Sequence, residues 1–263
     1  MTAVALVTGG WRGIGRASVE RLRVAGFRVA LTHVPQVEPE ALIRDWVATD
    51  AGLLALPLDL RDGAGPARVM AAVSAAWGGV DVLVNNAAVG SATVAGFAEG
   101  QAAQDAAMLA INAAGTLAMC RAFLAVKGSG PGARRIVNIA SVGGGVATFP
   151  GFSLADGMSK AAVAHLTRQL AAEQMAPGVD VFALCPGATD TEMFRQSTLN
   201  RMTPEDRSDF LAQLPKERLI QPAEIAELVA FLAGPHSGAL HGAVIDASMG
   251  LGVRPGRMTE APH

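Results

Sequence analysis

The chain has 263 residues, of which 51% are hydrophobic, 17% are charged and 30 are glycine. This length suits one large α/β domain or two small ones. The formal net charge of −2 provides no basic surface for nucleic acid or for an anionic membrane. The first residues, MTAVALVTGG, lack a basic stretch before their apolar run and are predicted to form a strand, not a signal peptide. No uninterrupted apolar run is expected to span a membrane, so a cytoplasmic protein is predicted.

The two cysteines, Cys120 and Cys185, lie in apolar stretches of the sequence. Their spacing is not that of a metal site or of a disulfide framework. They are therefore predicted to be buried, reduced thiols, and no metal site is expected.

Strand-like and helix-like segments alternate through the whole chain. Seven β-rich segments are predicted strands, at Ala3–Thr8, Phe27–Thr32, Leu53–Asp59, Val80–Ala88, Arg134–Ser141, Val179–Gly187 and Gly242–Ser248. Four segments with helical spacing are predicted helices, at Gly15–Gly26, about Gln104–Val126, about Asp156–Met175 and Pro222–Gly234. This alternation predicts an α/β fold with a single doubly wound parallel sheet and helices on both faces. No repeat or linker divides the sequence, so residues 1–263 are predicted to form one domain.

The segment TGGWRGIG, residues 8–15, joins the first predicted strand to the first predicted helix. Gly9 permits a sharp turn, Gly13 lets the backbone approach a ligand, and Gly15 allows close packing of helix on strand. The helix N-terminus offers N–H groups and a positive dipole end to a pyrophosphate. Three glycines alone are a weak signal, but their place between a strand and a helix favours dinucleotide binding over a purely structural turn.

Further motifs follow this turn in a fixed order. They are NNAA after the fourth predicted strand, Ser141 after the fifth, Lys160 in a helix, and PGATDTEM after the sixth. With them the sequence resembles the short-chain dehydrogenase/reductase family over essentially its whole length, most closely the bacterial 3-oxoacyl-carrier-protein reductases. The resemblance implies a Rossmann fold, a nicotinamide cofactor, a small-molecule substrate and a homodimer or homotetramer.

The same resemblance implies roles for individual residues. The pyrophosphate would be held by Gly9, Gly13, Ile14 and Gly15. The adenosine would be bound by Asp59, Asn85 and Ala87, and the nicotinamide carboxamide by Pro186, Gly187, Thr189 and Thr191. Three of the four catalytic positions of the family are matched by Asn112, Ser141 and Lys160, of which Lys160 would also contact the cofactor.

The residues near the end of the second predicted strand favour NADP(H) over NAD(H). An acidic residue at this point accepts the ribose 2′-hydroxyl and repels a 2′-phosphate. Here the strand ends in Thr32 and His33, and the nearest acid is Glu38. Arg12, inside the glycine turn, is placed to meet a phosphate, with help from His33. The alternative is that Arg12 is a solvated surface charge.

The fourth catalytic position is a tyrosine in the family but Asp156 in this chain, which contains no tyrosine. A tyrosine suits proton transfer because a neighbouring lysine lowers its pKa towards neutrality. An aspartate starts near pKa 3.9, and Lys160 is expected to lower that pKa further, which leaves a carboxylate with no proton to donate. Ser141 and Asp156 also lie farther apart in sequence than the family usually places them, so an insertion could bring Thr148 or Ser153 to the site.

Three functions remain compatible with Asp156. In the first, the protein is an NAD(P)-dependent oxidoreductase that acts on a carbonyl or alcohol with a changed proton relay, which uses Ser141 and either Lys160 or water. In the second, Asp156 is the base of a non-redox enzyme of the isomerase or dehydratase type, with Ser141 stabilising an enolate. In the third, Asp156 and Lys160 form only an i,i+4 ion pair in a dinucleotide-binding protein with a binding or regulatory role.

Two further expectations concern the outer surface. By the resemblance, the polar helical segment 191–219 is a lid over the substrate, in which Met193, Phe194 and Phe210 could contact an apolar group. The helices predicted at 104–126 and 156–175 carry small apolar residues around their circumference, so more than one face must be buried. By the resemblance, these two helices form the interface of a dimer.

Overall fold

Seven parallel strands form one sheet in a computed structural model that describes residues 2–176 and 178–254. The strands are β1 (Val4–Val7), β2 (Arg28–His33), β3 (Leu53–Pro57), β4 (Val82–Asn85), β5 (Arg134–Ile139), β6 (Val179–Pro186) and β7 (Val244–Ala247). Their spatial order is β3-β2-β1-β4-β5-β6-β7, and every neighbouring pair is parallel. The predicted doubly wound parallel sheet is therefore confirmed.

Eleven α-helices connect the strands of the described chain. They are α1 (Gly13–Val24), α2 (Glu40–Ala48), α3 (Gly65–Trp77), α4 (Ser91–Ala95), α5 (Gln101–Leu109), α6 (Thr116–Ala125), α7 (Val142–Gly145), α8 (Leu154–Glu173), α9 (Glu192–Ser197), α10 (Pro204–Gln213) and α11 (Pro222–Ala233). The four predicted helices are all present, with ends that differ by a few residues. The sequence patterns did not assign α2 and α3, which complete the alternation of strands and helices.

The two faces of the sheet have separate apolar cores. One core packs β1, β2, β4, β5 and β6 against α1, α2 and α11, through residues such as Leu22, Ile43 and Val229. The other packs the opposite side chains of the sheet against α3, α6 and α8, through residues such as Met70 and Phe123. Helices therefore cover both faces, as the continuous apolar strands predicted.

The long helix predicted near Gln104–Val126 is divided into three parts. A π-helical segment, Ala110–Gly115, separates α5 from α6. The whole run, Gln101–Ala125, is long enough and apolar enough to cross a membrane, which the sequence analysis did not expect. The core helix of a soluble protein passes the same test, and this run includes the fully buried side chains of Met119 and Phe123. The cytoplasmic location stays a prediction.

The direction of the chain reverses in the sheet between β1 and β4. From β1 the chain proceeds outward to β2 and β3, and then returns to add β4, β5, β6 and β7 on the other side. Ligands of open α/β sheets bind at the carboxyl ends of the strands beside such a reversal. The glycine turn, the NNAA segment, Ser141 and the PGATDTEM segment all follow the carboxyl ends of these central strands.

Candidate functional site

The turn after β1 has a backbone that requires glycine. Gly9 and Gly13 have φ values of +62° and +54°, in the left-handed region that glycine adopts most readily. A Cβ atom on Gly15 would lie 2.2 Å from the carbonyl oxygen of Gly9. The turn leads directly into α1, whose first N–H groups, including those of Ile14 and Gly15, have no acceptor within the helix itself. The local geometry therefore fits the predicted pyrophosphate cradle.

Hydrogen bonds between uncharged groups connect this turn to the segment after β4. The Asn86 side chain donates from Nδ2 to the carbonyl oxygens of Thr8 and Gly9, at 2.9 and 3.0 Å. The Thr8 hydroxyl accepts the N–H groups of Asn86 and Ala87, both at 3.0 Å. Ala87 also lies against Gly9, where a Cβ on Gly9 would be 3.1 Å from Ala87 Cα. The sequence analysis missed Thr8 and Asn86, whose hydrogen bonds fix the shape of this turn.

Asn85, predicted to line the adenosine, has its side chain in the core instead. Its Nδ2 donates to Asn138 Oδ1 at 2.9 Å, and Asn138 in turn donates to the Thr167 hydroxyl at 2.9 Å. All three residues are buried. The Asn85 side chain therefore does not face the turn, because alternation along β4 directs it to the core, and contact of the Asn85 main chain with the adenosine stays a prediction.

The loop after β6 closes over the glycine turn. The Thr191 side chain lies 3.2 Å from the point where a Cβ on Gly13 would stand. Thr191 also caps α9 by accepting the N–H of Phe194 at 3.2 Å. The buried hydroxyl of Thr189 donates to the carbonyl oxygen of Gly187 at 3.0 Å, which stabilises the loop after Pro186. The predicted carboxamide segment and the predicted pyrophosphate segment thus lie side by side.

The predicted adenine partner, Asp59, is held by an arginine. Its carboxylate accepts hydrogen bonds from Arg61 at 2.6 to 3.0 Å, and these bonds lower the pKa of Asp59. The side chain keeps 29% of its surface exposed. A fixed and partly exposed carboxylate is able to accept a further hydrogen bond from a ligand, so the role predicted for Asp59 stays open.

An unexpected carboxylate lies beside Arg12. Glu38 Oε1 lies 3.3 Å from Arg12 Nε, and Glu38 Oε2 accepts the N–H of Val34 at 3.0 Å. The Glu38 side chain is only 7% exposed, whereas that of Arg12 is 55% exposed. The neighbouring His33 is buried, and its Nδ1 has no hydrogen-bond partner among the described residues. The loop after β2 therefore places the Glu38 carboxylate beside the end of the strand, a position that the sequence analysis did not predict.

Asn112 lies in the π-helical segment, and its side chain is fully bonded. Its Oδ1 accepts the N–H of Val89 at 2.8 Å, and its Nδ2 donates to Val89 O at 3.0 Å. The same Nδ2 lies 3.2 Å from the hydroxyl of Ser159, which donates to the carbonyl oxygen of Asp156 at 2.8 Å. Single π-helical turns are common at functional sites. Ser159 was missed from sequence and links two of the predicted catalytic positions.

The segment that contains Ser141 packs on the start of α8. Ser141 caps the start of α7, where its Oγ accepts the N–H of Gly143 at 3.2 Å. A Cβ on Gly144 would lie 2.2 Å from Gly157 O, so the two backbones are in direct contact. Ser153 caps α8 through an N–H···O bond of 3.4 Å from Asp156. Ser153 thus stabilises the helix start, while Ser141 and Asp156 lie on two elements in direct contact.

Asp156 and Lys160 lie one turn apart on α8, and both are half-buried. Burial raises the pKa of Asp156, and the opposing attraction of Lys160 is the smaller effect. Burial likewise lowers the pKa of Lys160, against the attraction of Asp156 and Cys185. The expectation that the pKa of Asp156 is lowered was wrong, because the loss of hydration outweighs the nearby ammonium.

Lys160 is held by the main chain. Its Nζ donates to the carbonyl oxygen of Ile139 at 3.3 Å. The ion pairs of 4.0 Å or less among the described residues do not include one between Asp156 and Lys160. A simple surface ion pair therefore does not describe these two residues. Nearby Cys185 is a buried free cysteine, as predicted for both thiols, and burial raises its pKa to about 11.

The predicted lid lies over the edge of the site. Met193 contacts Gly90 after β4, since a Cβ on Gly90 would be 3.4 Å from Met193 Cγ. The rings of Phe194 and Phe210 pack on each other with centroids 6.1 Å apart. Segment 191–219 consequently connects the loop after β6 with the loop after β4, and its action as a lid stays a prediction.

Comparison with known proteins agrees with this geometry. Residues 9–252 match the family model described as "Enoyl-(Acyl carrier protein) reductase". The chain is 35% identical over 250 residues to 2-(R)-hydroxypropyl-CoM dehydrogenase of Xanthobacter autotrophicus, which covers 93% of this chain and 96% of that protein.

Solved structures are similar over the same length. A variant of actinorhodin polyketide ketoreductase with NADPH is 31% identical, with a TM-score of 0.81 and coverage of 95% of this chain and 97% of that chain. A 3-oxoacyl-(acyl-carrier protein) reductase from Brucella melitensis in complex with NAD is 29% identical, with a TM-score of 0.81 and coverage of 96% and 98%. The chain is thus similar to proteins that hold NADPH and to proteins that hold NAD.

Proposed function

This chain belongs to the short-chain dehydrogenase/reductase family and is an NAD(P)-dependent oxidoreductase, and on that premise we propose that it reduces a carbonyl group with Asp156 as the proton donor. The observation that carries the proposal is the burial of Asp156, which raises the pKa of its carboxyl group. A protonated carboxyl group can donate to a developing alkoxide, whereas a carboxylate repels it. The names of the similar proteins, a ketoreductase among them, support a ketone and its alcohol as the substrate class.

The surrounding residues support this role. Ser141 would donate a hydrogen bond to the substrate oxygen, and Lys160, whose own ammonium is disfavoured by burial, would return a proton to Asp156. Ser159 and Asn112 hold the main chain at Asp156 through their hydrogen bonds. The nicotinamide dinucleotide, when bound, supplies the hydride.

The test is reduction of a panel of ketones, followed by loss of the reduced cofactor. Asp156→Asn should lower kcat/KM about 10²–10⁴-fold, which is the usual contribution of a positioned acid. Asp156→Tyr should retain turnover, because a phenol next to a lysine is also a proton donor. Asp45→Asn, a change on the exposed surface of α2, is the matched control. A wild-type rate in Asp156→Asn would overturn the proposal.

A second function is favoured by the same observation. A raised pKa also suits a carboxylate that removes a proton next to a carbonyl, as in an isomerase or dehydratase. Proton–deuterium exchange at that carbon, measured by NMR without any cofactor and lost in Asp156→Asn, would support this function over reduction. Tight dinucleotide binding with neither activity would instead support the binding or regulatory role.

For the cofactor we infer a modest preference for NADP(H). Two groups suit a 2′-phosphate: Arg12, in the glycine turn before α1, and Nδ1 of His33 at the end of β2, which has no hydrogen-bond partner among the described residues. The Glu38 carboxylate, 3.3 Å from Arg12, opposes that phosphate and suits a ribose 2′-hydroxyl. The two effects oppose each other, so the preference should be small. Fluorescence titration with NADPH and NADH measures it directly.

We also propose that two copies associate through the outer faces of α5, α6 and α8, in a homodimer or a dimer of dimers. Leu154 and Met158 on α8 are 85% and 60% exposed, which is unusual for large apolar side chains. Light scattering on the wild type and on Met158→Glu tests this. The variant should dissociate, and an unchanged mass would contradict the proposal.

A further inference from the structure

A cavity of about 440 Å³ lies between the end of α10 and the segment that follows β7. Its lining residues come from these two segments and are Gln213, Leu214, Pro215, Lys216, Glu217, Gly250, Leu251 and Arg254. Ligand pockets usually occupy about 300–1,000 Å³, so this cavity has room for part of a small molecule.

The cavity adjoins the catalytic edge on both of its sides. Beyond Glu217, Ile220 pairs with the loop after β6, where it accepts the N–H of Asp190 at 2.8 Å and donates to Ala188 O at 2.9 Å. On the other side, Ser248 lies about 3.0 Å from the position of a Cβ on Gly187. Both walls are therefore fixed to the loop predicted to hold the nicotinamide carboxamide.

The tail after β7 also contacts the segment that contains Ser141. A Cβ on Gly252 would lie 2.9 Å from Val146 Cγ1, at the end of α7. Leu251, between the cavity and this contact, is buried. The segment that lines the cavity after β7 is therefore in contact with the end of the segment that begins at Ser141.

The backbone at the cavity is held in an uncommon conformation. Lys216 and Glu217 have φ values of +59° and +54°, although neither is glycine. Their neighbours Leu214 and Ile220 are buried and fix both ends of this turn. Strained residues of this kind persist only where surrounding structure holds them, and they are concentrated at ligand sites. Lys216 thus lines the cavity from a turn whose backbone is held by its surroundings.

The cavity wall has more cationic than anionic side chains. Lys216 and Arg254 both line it, and neither has an ion pair among the residues that the structure describes. The nearby Arg218, by contrast, is bound to Glu224 at 2.7 Å. Glu217 is the one carboxylate among the lining residues, so the wall has a surplus of one positive charge.

We propose that this cavity receives the anionic end of the carbonyl substrate, a carboxylate, sulfonate or phosphate bound by Lys216 and Arg254. The inference rests on the proposed function, because the group bound in the cavity belongs to the same substrate as the carbonyl that is reduced. The polar group would be bonded by two flexible cations, and the carbon chain would lie against Leu214 and Leu251.

The test compares matched ketones that differ only in charge. Binding of 4-oxopentanoate and of its methyl ester is measured by calorimetry on the protein saturated with oxidised cofactor, which cannot reduce either ketone. Analogues with a sulfonate or a phosphate in place of the carboxylate identify the preferred anion. The acid should bind about tenfold tighter than the ester, as expected for charge-assisted hydrogen bonds.

The variants locate the anion. Lys216→Ala and Arg254→Ala should each weaken binding of the acid about five- to tenfold and leave the ester unchanged. Lys127→Ala and Arg44→Ala, at an exposed lysine and an exposed arginine outside the cavity, are the matched controls. Unchanged dinucleotide binding in every variant shows that the fold is intact.

Two outcomes separate this inference from the proposed function. Equal binding of acid and ester, or equal binding by wild type and Lys216→Ala, would overturn the inference even if both ketones are reduced. Selective binding of the acid that depends on Lys216 would support it even if neither ketone is reduced, in which case only the proposed function fails.

Discussion

The two halves of the site differ in how their polar groups are satisfied. Around the glycine turn, neutral groups bond one another, as the Asn86 amide does with the carbonyl oxygens of Thr8 and Gly9. Around α8, two ionisable groups are half-buried close together, and the loss of hydration shifts the pKa of each towards its neutral form. The first half is fixed in charge and shape, whereas the second can change its charge.

This difference separates binding from chemistry. A site that only holds a ligand functions with neutral, fully bonded groups, while a site that moves protons requires groups whose pKa values lie near the working pH. The departure from the family that the sequence predicts, Asp156 at the position of a tyrosine, falls wholly within the second half. The comparison therefore predicts that changes in the first half abolish binding, and that changes in the second alter the response to pH.

The largest effect is expected from Gly15→Ala. Its Cβ would lie 2.2 Å from Gly9 O and 2.5 Å from Asn86 Nδ2, so the turn cannot keep its shape. Affinity for NADH and NADPH should fall about 100-fold or more, which corresponds to about 2.7 kcal/mol. Gly63→Ala is the control, because no atom lies within 4 Å of its added Cβ. Near-normal dinucleotide affinity in Gly15→Ala would show that the turn is not the cradle.

The next effect is a change in pH dependence. If Asp156 donates the proton, its acid form is required, and that form is lost as pH rises through a pKa raised above the ordinary 3.8. The kcat/KM for ketone reduction should therefore fall with rising pH, and that for alcohol oxidation should rise over the same range. Both limbs should disappear in Asp156→Asn. A wild-type profile without a limb that depends on Asp156 would contradict this role.

A smaller effect is expected at the end of β2. Glu38→Gln removes the charge that opposes a 2′-phosphate while keeping a side chain that can accept the N–H of Val34. The ratio of NADPH to NADH affinity should rise about tenfold, which corresponds to about 1.4 kcal/mol. Glu20→Gln, whose carboxylate pairs with Arg16, is the control. If the ratio stays the same, Glu38 does not face the 2′ position.

The fold and the glycine turn could be predicted because their causes are local. Alternating segments specify strands and helices, and the left-handed φ of Gly9 and Gly13 requires glycine itself. The side-chain direction of Asn85 was also encoded, since alternation along β4 determines which asparagine faces the turn.

Other features depend on tertiary structure and have no local signal. Nothing in PQVEPE shows that Glu38 returns to Val34 and Arg12. The raised pKa of Asp156 reflects its burial where α7 packs on α8 through Gly144 and Gly157, a contact between a predicted loop and a predicted helix that the pattern does not show. Sequence supplies the neighbouring charge of Lys160 but not the degree of burial, and burial determines the direction of the shift.

The smallest effect is one of stability. Because the folded pKa of Asp156 is raised above its unfolded value, the stability it contributes is complete below the unfolded pKa and is lost as pH rises through the folded pKa. Asp156→Asn removes the disfavoured charge and should raise the Tm by a few degrees at neutral pH, a gain that vanishes in acid. Asp50→Asn should instead lower the Tm at neutral pH, since the Arg23 hydrogen bond lowers the pKa of Asp50 and so favours its charged form in the folded protein. Calorimetry at several pH values measures the Tm of both variants. A lower Tm for Asp156→Asn at neutral pH would contradict this prediction, because it would show that the attraction between Asp156 and Lys160 stabilises the fold by more than the loss of hydration of Asp156 destabilises it.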